Sequence, residues 1–202
     1  MKIAKFFLIM LIAVAFVLVP LPKADLFFRV YFMDVEGTTC NLYYTTRSSN
    51  AFSAEQMIPA DIDYELGRVT FQLDSALAEE LTGVRLDFPN AEHLVCINNV
   101  TLSSAGIIQK QFNPCDFFAY ENLIQTNDIQ DMSLVRTNNR AYFLTGSTDP
   151  FVVFSDNIVA QIVDGYSSYR LTRLGICLFL AAVYFIAKKN IFSKSEEEKT
   201  ME

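Results

Sequence analysis

Val84-Arg85-Leu86-Asp87-Phe88, followed after a break by Leu94-Val95-Cys96-Ile97, decides the fold. In the first run apolar Val84, Leu86 and Phe88 alternate with charged Arg85 and Asp87, the period of a strand with one face buried. Pro89-Asn90 interrupts it, because proline lacks a backbone N–H and restricts the residue before it. The second run extends to Leu102 and is apolar on both faces at its start, as a strand deep in a sheet would be. The rest of the middle of the chain is expected to cover these two strands.

The flanking sequence repeats the pattern. Strands are expected over 27–33, 40–45, 57–65 (broken at Pro59), 68–73, 107–112, 141–145, 151–154 and 158–163. A helical turn is expected at 76–81. Segment 115–140 has no clear period, and Tyr120–Ile124 fits either a helix or an irregular crossover. Eight to ten short strands joined by Asn, Asp, Ser and Pro turns predict a mostly β fold, an antiparallel jelly-roll β-sandwich.

Both ends of the chain differ from this middle. Lys2 and Lys5 precede an uncharged run from Phe6 to Val19, closed by Pro20, Pro22 and Lys23. Residues 1–23 are therefore expected to be a transmembrane helix or signal anchor. Pro22 is a poor fit to a signal-peptidase site after Ala24, which favours an uncleaved anchor. A second apolar run, 174–187, is bounded by Arg170, Arg173, Lys188 and Lys189, and 171–189 is expected to be a second membrane helix. The tail 190–202 contains Glu196-Glu197-Glu198-Lys199 and little apolar surface, and is expected to be disordered. Two passes place both termini in the cytoplasm and a domain of residues 24–170 outside the cytoplasmic membrane.

Charge excludes some partners. The chain carries a net −7, yet from Ala24 to Arg170 there are 19 acidic and 8 basic side chains, a net −11. Such a domain is unsuited to nucleic acid or anionic headgroups, both of which select Lys and Arg. Of four cysteines, Cys177 lies in an apolar segment. Cys40, Cys96 and Cys115 remain, an odd number without CxxC spacing, so neither a disulfide framework nor a cysteine zinc site is expected. One pair, such as Cys96 with Cys115, could bridge neighbouring strands in an oxidising compartment; free buried thiols are the plainer expectation.

Chemistry-bearing patterns are sparse. The one histidine, His93, falls in the turn between the two deciding strands, where a solvated side chain is expected. No Gly-x-Ser-x-Gly elbow or phosphate-binding loop occurs. Asp61, Asp63 and Glu65 recur at every second residue and would share one strand face, a geometry able to offer oxygens to a hard cation; a solvated outer face explains them as well. Asp61-Ile62-Asp63 also matches the D-x-D of nucleotide-sugar transferases, but no α/β domain surrounds it. Asn99-Val100-Thr101 is a glycosylation sequon in an expected buried strand. No catalytic residue, metal site or cofactor is assigned. Sugar recognition would draw on rings from Tyr43, Tyr44, Phe52, Tyr64, Phe117, Phe118 and Tyr120, with Asn98, Asn99, Asp116 and Asn122 as polar partners. Which of these would contact carbohydrate is left open, most being expected in the core.

The succession Leu42-Tyr43-Tyr44, Phe52-Ser53-Ala54-Glu55, Val69-x-Phe71-x-Leu73, Val84-Arg85-Leu86-Asp87-Phe88, Val95-x-Ile97-x-x-Val100-x-Leu102 and Asp149-Pro150-Phe151 resembles an extracytoplasmic bacterial domain. That domain is the carbohydrate-binding-module-like jelly roll attached to membrane glycosyltransferases and related proteins of cell-surface polysaccharide assembly. The resemblance covers residues 27–155. It departs at Pro89-Asn90-Ala91, where a Gly-rich turn would be expected, and no transferase domain is present. It implies a non-catalytic module that contacts glycan or a lipid-linked sugar, with a membrane glycosyltransferase as a partner. The alternative is a structural subunit docking onto a membrane enzyme through the sandwich and the short C-terminal helix.

Overall fold

The computed structural model describes residues 24–89, 92–104 and 106–167, together with Gly175 and Leu178. Apart from those two residues, the expected membrane segments at 1–23 and 171–189 and the tail at 190–202 lie outside the described residues. No helix among the described residues is long and apolar enough to cross a membrane.

Among the described residues eleven strands form two antiparallel sheets. In chain order they are β1 (Leu26–Asp34), β2 (Thr39–Thr46), β3 (Met57–Asp61), β4 (Arg68–Leu73), β5 (Leu81–Asp87), β6 (Leu94–Ser104), β7 (Ile107–Phe112), β8 (Leu123–Asn127), β9 (Ile129–Val135), β10 (Arg140–Thr145) and β11 (Phe151–Phe154). Sheet I has the order β4-β1-β6-β10-β9, with β7 pairing the far half of β6; sheet II has the order β3-β2-β5-β11-β8. The two deciding strands are thus not partners: β5 is the middle of sheet II and β6 the middle of sheet I. Pro89 removes a ladder donor where the chain leaves one sheet for the other. The β1–β2 connection also crosses between sheets, and the two crossings pack together. Gly37 there has φ +105°, and a Cβ on it would come within 2.2 Å of Pro89 Cβ.

Alternation sets the core. Leu26, Phe28 and Val30 on β1, Val69, Phe71 and Leu73 on β4, and Val84 and Leu86 on β5 are all 1 % exposed or less. They belong to one hydrophobic cluster with residues of both sheets. The unreadable segment contributes its centre. Asn113 caps a one-turn helix, α2 (Pro114–Phe117), with Pro114 in its first turn. That turn delivers Phe117 and Phe118 inward: Phe117 lies 4.8 Å from the rings of both Phe112 and Phe154, and Phe118 lies 5.0 Å from Phe143. The Tyr120–Ile124 stretch is a 3-10 turn running into β8.

Helix α1 (Ser75–Glu80) occupies the expected turn, capped by Asp74, whose Oδ1 accepts from Leu77 N at 2.8 Å. The expected strand at 158–163 is instead helix α3 (Asp156–Ser167). Ile158, Val159 and Ile162 are buried while Ala160 and Asp164 are exposed, so a helical stripe, not alternation, fits the burial. Cys40, Cys96 and Cys115 are buried free thiols, and no Cys96–Cys115 bridge forms. Pro59 sits on β3, an edge strand, where a missing N–H disrupts no interior ladder.

Candidate functional site

The end of β2, the turn after it and helix α1 border an open groove of about 460 Å³. Its polar lip is built locally. Thr46 and Ser49 exchange backbone bonds (Thr46 N to Ser49 O, 2.8 Å; Ser49 N to Thr46 O, 3.1 Å), which folds the Arg47-Ser48 turn back on the strand. A 3-10 turn, Ala54–Gln56, follows. Gln56 ties the two together: its Oε1 accepts from Ser49 Oγ at 2.9 Å and from Ser53 Oγ at 3.4 Å. Across the groove, Glu80 O accepts from Arg47 N at 3.2 Å, which holds helix α1 against the turn.

Tyr44 lines the groove and packs against the core cluster, so its ring is held from behind. Around it stand hydroxyls of Thr46, Ser48, Ser49 and Ser53, the Gln56 amide, and carboxylates of Glu55, Asp74 and Glu80. The lining contains no Lys, Arg, His or Cys. Chemically it offers a ring and many acceptors to a hydroxylated, uncharged ligand. The Ser49 and Ser53 hydroxyls in it donate to the Gln56 amide oxygen.

The other expected sugar-contact residues do not converge. Tyr43 neighbours Tyr44 in sequence and so points to the opposite face of sheet II. There the Arg85 guanidinium lies 4.9 Å from its ring centroid and 3.5 Å from that of Phe151. Arg85 also grips Asp87 in a bidentate pair, Nε to Oδ1 at 2.6 Å and Nη2 to Oδ2 at 2.7 Å, and reaches Asp149 Oδ1 at 3.2 Å. Burial is the largest influence on Asp87 and pushes its carboxyl above the ordinary range, against the pull of Arg85. Phe52 is half-buried, its ring against the β2–β5 pairing at Gly83. Phe117 and Phe118, at 1 % and 0 % exposure, are core and cannot stack on a ligand. Tyr64 is exposed and donates to the Gly37 carbonyl; the exposed Tyr120 donates to Met132 O at 3.4 Å.

The polar partners scatter too. Asp116 pairs with Arg136 at 2.9 Å, and Asn122 donates to the Asp116 carbonyl at 2.6 Å. Asn98 is exposed and Asn99 half-buried on β6. The acidic triplet does not share a strand face. β3 ends at Asp61, and Asp63 turns the chain through Leu66 N to Asp63 Oδ1 at 3.0 Å and paired backbone bonds with Arg68. Among the described residues no group of three His, Cys, Asp or Glu side chains is placed to hold a metal ion. His93 is less solvated than expected. Its ring nitrogens lie 3.2 Å from Asp34 Oδ1 and 3.4 Å from Glu36 Oε1, and its side chain is 22 % exposed.

Sequence reasoning picked out Tyr44 but not its surroundings. The Ser-rich run Ser48-Ser49 with Ser53 was the available signal, and reads as an ordinary turn. The chain matches no family model, no curated protein and no solved structure.

Proposed function

We propose that this chain is a non-catalytic glycan-binding module, with the Tyr44 groove as its site. The observation that carries the reading is the lining itself: one ring backed by the core, with hydroxyl, amide and carboxylate groups, Ala76 and Leu77 around it and no cation. Sugar hydroxyls both donate and accept, and a pyranose face stacks on a fixed ring. The volume lies within the range of small-ligand sites. The two sheets with their shared core support a β-sandwich of jelly-roll type. The apolar ends at 1–23 and 171–189 would tether it outside the cytoplasmic membrane, with both termini inside. A tethered module favours glycan or lipid-linked sugar near the bilayer, as an accessory to a membrane glycosyltransferase in cell-surface polysaccharide assembly.

A second reading, a docking subunit for a membrane enzyme, draws on Leu94 and Leu144. They are paired in register on the outer face of sheet I and are 44 % and 37 % exposed.

The test is a glycan-array screen of the full chain in detergent micelles, followed by calorimetry. One glycan class should bind saturably. Tyr44→Ala should weaken it at least about tenfold, the equivalent of about 1.4 kcal/mol. Ser53→Ala/Glu55→Gln, on the exposed lip, should weaken it with the melting temperature unchanged. A folded chain that binds no glycan, or binds one with equal affinity in both variants, overturns the reading.

A further inference from the structure

Nine large apolar side chains are exposed among the described residues, and five of them gather at one end of the two sheets: Met33, Tyr64, Leu66, Leu94 and Leu144. Register places them together. Leu94 on β6 stands opposite Leu144 on β10, beside the next pair on that face, Cys96 and the half-buried Tyr142. Cys96 in turn stands opposite Asp34 on β1, the residue after Met33. On the other side of β1, Phe32 N donates to Gly67 O at 2.7 Å. That bond continues the ladder that pairs Tyr31 with Arg68, and it brings Leu66 alongside Met33. The Tyr64 hydroxyl donates to the Gly37 carbonyl in the β1–β2 crossing. Apolar residues exposed singly are ordinary. A row running from the β3–β4 loop across β1 and β6 to β10 marks an interaction surface.

Acids are set into this row. Asp131 on β9 is exposed opposite Leu144, and Glu65 is exposed between Tyr64 and Leu66. Asp34 and Glu36, with side chains 61 % and 66 % exposed, flank the His93 ring at 3.2 and 3.4 Å. A neutral imidazole donates from one nitrogen only, so it answers at most one of the two. The nearest arginines along these strands, Arg68 on β4 and Arg140 on β10, are half-buried. This rim selects the occupant. A second copy related by a two-fold axis would set carboxylates against carboxylates, and anionic headgroups would be repelled in the same way. A cationic segment with apolar side chains of its own meets both halves of the surface.

We propose that this end of the domain docks a protein segment that is both apolar and basic. Its Leu, Ile or Phe side chains would cover Leu94, Leu144 and Met33, and its Lys or Arg would face Glu36 and Asp131. The inference rests on the docking reading of Leu94 and Leu144 and is independent of the Tyr44 groove.

Fluorescence anisotropy of the full chain in micelles of an uncharged detergent tests it, with empty micelles as the reference. The probes are three short labelled peptides of alternating Leu and Lys, Leu and Glu, and Ser and Lys. The Leu-Lys peptide should bind saturably, about tenfold or more tighter than the other two, and weaken as salt is raised. Leu94→Ser/Leu144→Ser should abolish this binding, and the isosteric Glu36→Gln/Asp131→Asn should weaken it about tenfold. Ile124→Ser, which removes an exposed apolar side chain from β8, should leave it unchanged. Circular dichroism and melting confirm that each variant is folded. If no peptide binds, or if Leu94→Ser/Leu144→Ser binds as the native chain does, the docking reading itself fails at this surface. If binding needs the two leucines but the Leu-Glu peptide matches Leu-Lys and Glu36→Gln/Asp131→Asn changes nothing, docking stands and the basic partner is overturned. A dimer in light scattering that Leu94→Ser/Leu144→Ser dissociates also overturns it, in favour of a second copy.

Discussion

Arg85 and Arg29 occupy matching situations, each on the outer face of one sheet with an aromatic ring beneath its guanidinium. Their surroundings differ in one respect. Two residues along its own strand Arg85 has Asp87, and across the sheet Asp149, so its donors are answered within the fold. Arg29 has the Ser103 hydroxyl and an unpartnered Nε. A neutralised, stacked arginine ties three strands together; one with a single hydroxyl partner ties only β1 to β6. The contrast says that the charge of a residue in a strand does not assign its role. What lies opposite it in the register does.

Asp87→Ala tests the structural side most severely. It leaves the half-buried Arg85 without its bidentate partner and should cost about 2–3 kcal/mol of unfolding free energy, reduced from the fully buried case by the solvent that Arg85 still reaches. Urea denaturation reads this directly, and a loss under about 1 kcal/mol would show that Asp149 alone can neutralise Arg85. Cys40 sharpens the same region through pH. It is unexposed on β2, and burial, with Asp87 adding its charge, pushes its thiol from 9.0 up to about 12. The unfolded chain loses this proton first, so stability is complete below about pH 9 and falls as pH rises toward about 12. The fall is about 1.4 kcal/mol per pH unit over that window. Denaturation at pH 8 and pH 10 should differ by about that much more in the native sequence than in Cys40→Ala; equal slopes would refute it. The smallest effect belongs to sheet I. Arg29→Met should change stability by no more than about 0.5–1 kcal/mol, because it removes one bond to Ser103 and one orphan donor together. A loss as large as that of Asp87→Ala would erase the contrast.

Much of this arrangement was legible in the alternation of single strands. Val84-x-Leu86 and Val69-x-Phe71-x-Leu73 face the core as their pattern requires. Partnership was not legible. That β5 and β6 lie in different sheets depends on contacts such as Gly37 against Pro89, made between residues far apart in sequence. Phe117 and Phe118 show a second limit. Both stood among the candidate sugar-contact rings, most of which were expected in the core, and a proline-initiated turn is what buries the two. Ile158–Val163 shows a third: its β-branched residues suit a strand, and only the burial of Ile158 with Ile162 reveals the helix. For the candidate groove, the chain gave Tyr44 as a ring without showing that helix α1 faces it. Arg29 carried no signal beyond being the one charge in Leu26-Phe27-Phe28-Arg29-Val30-Tyr31.

The crossings at Pro89 and Gly37 bear on how the molecule reaches this state. The chain passes from one sheet to the other repeatedly, so neither sheet is encoded by a contiguous half of it. β1 cannot meet β6, nor β2 meet β5, until long intervening loops have closed. No half of the sequence can act as a folded template for the other. The two sheets should form in one slow, concerted event, with high contact order setting the rate. A nascent chain released before β11 would lack a central neighbour of β5 and expose its unpaired edge to aggregation.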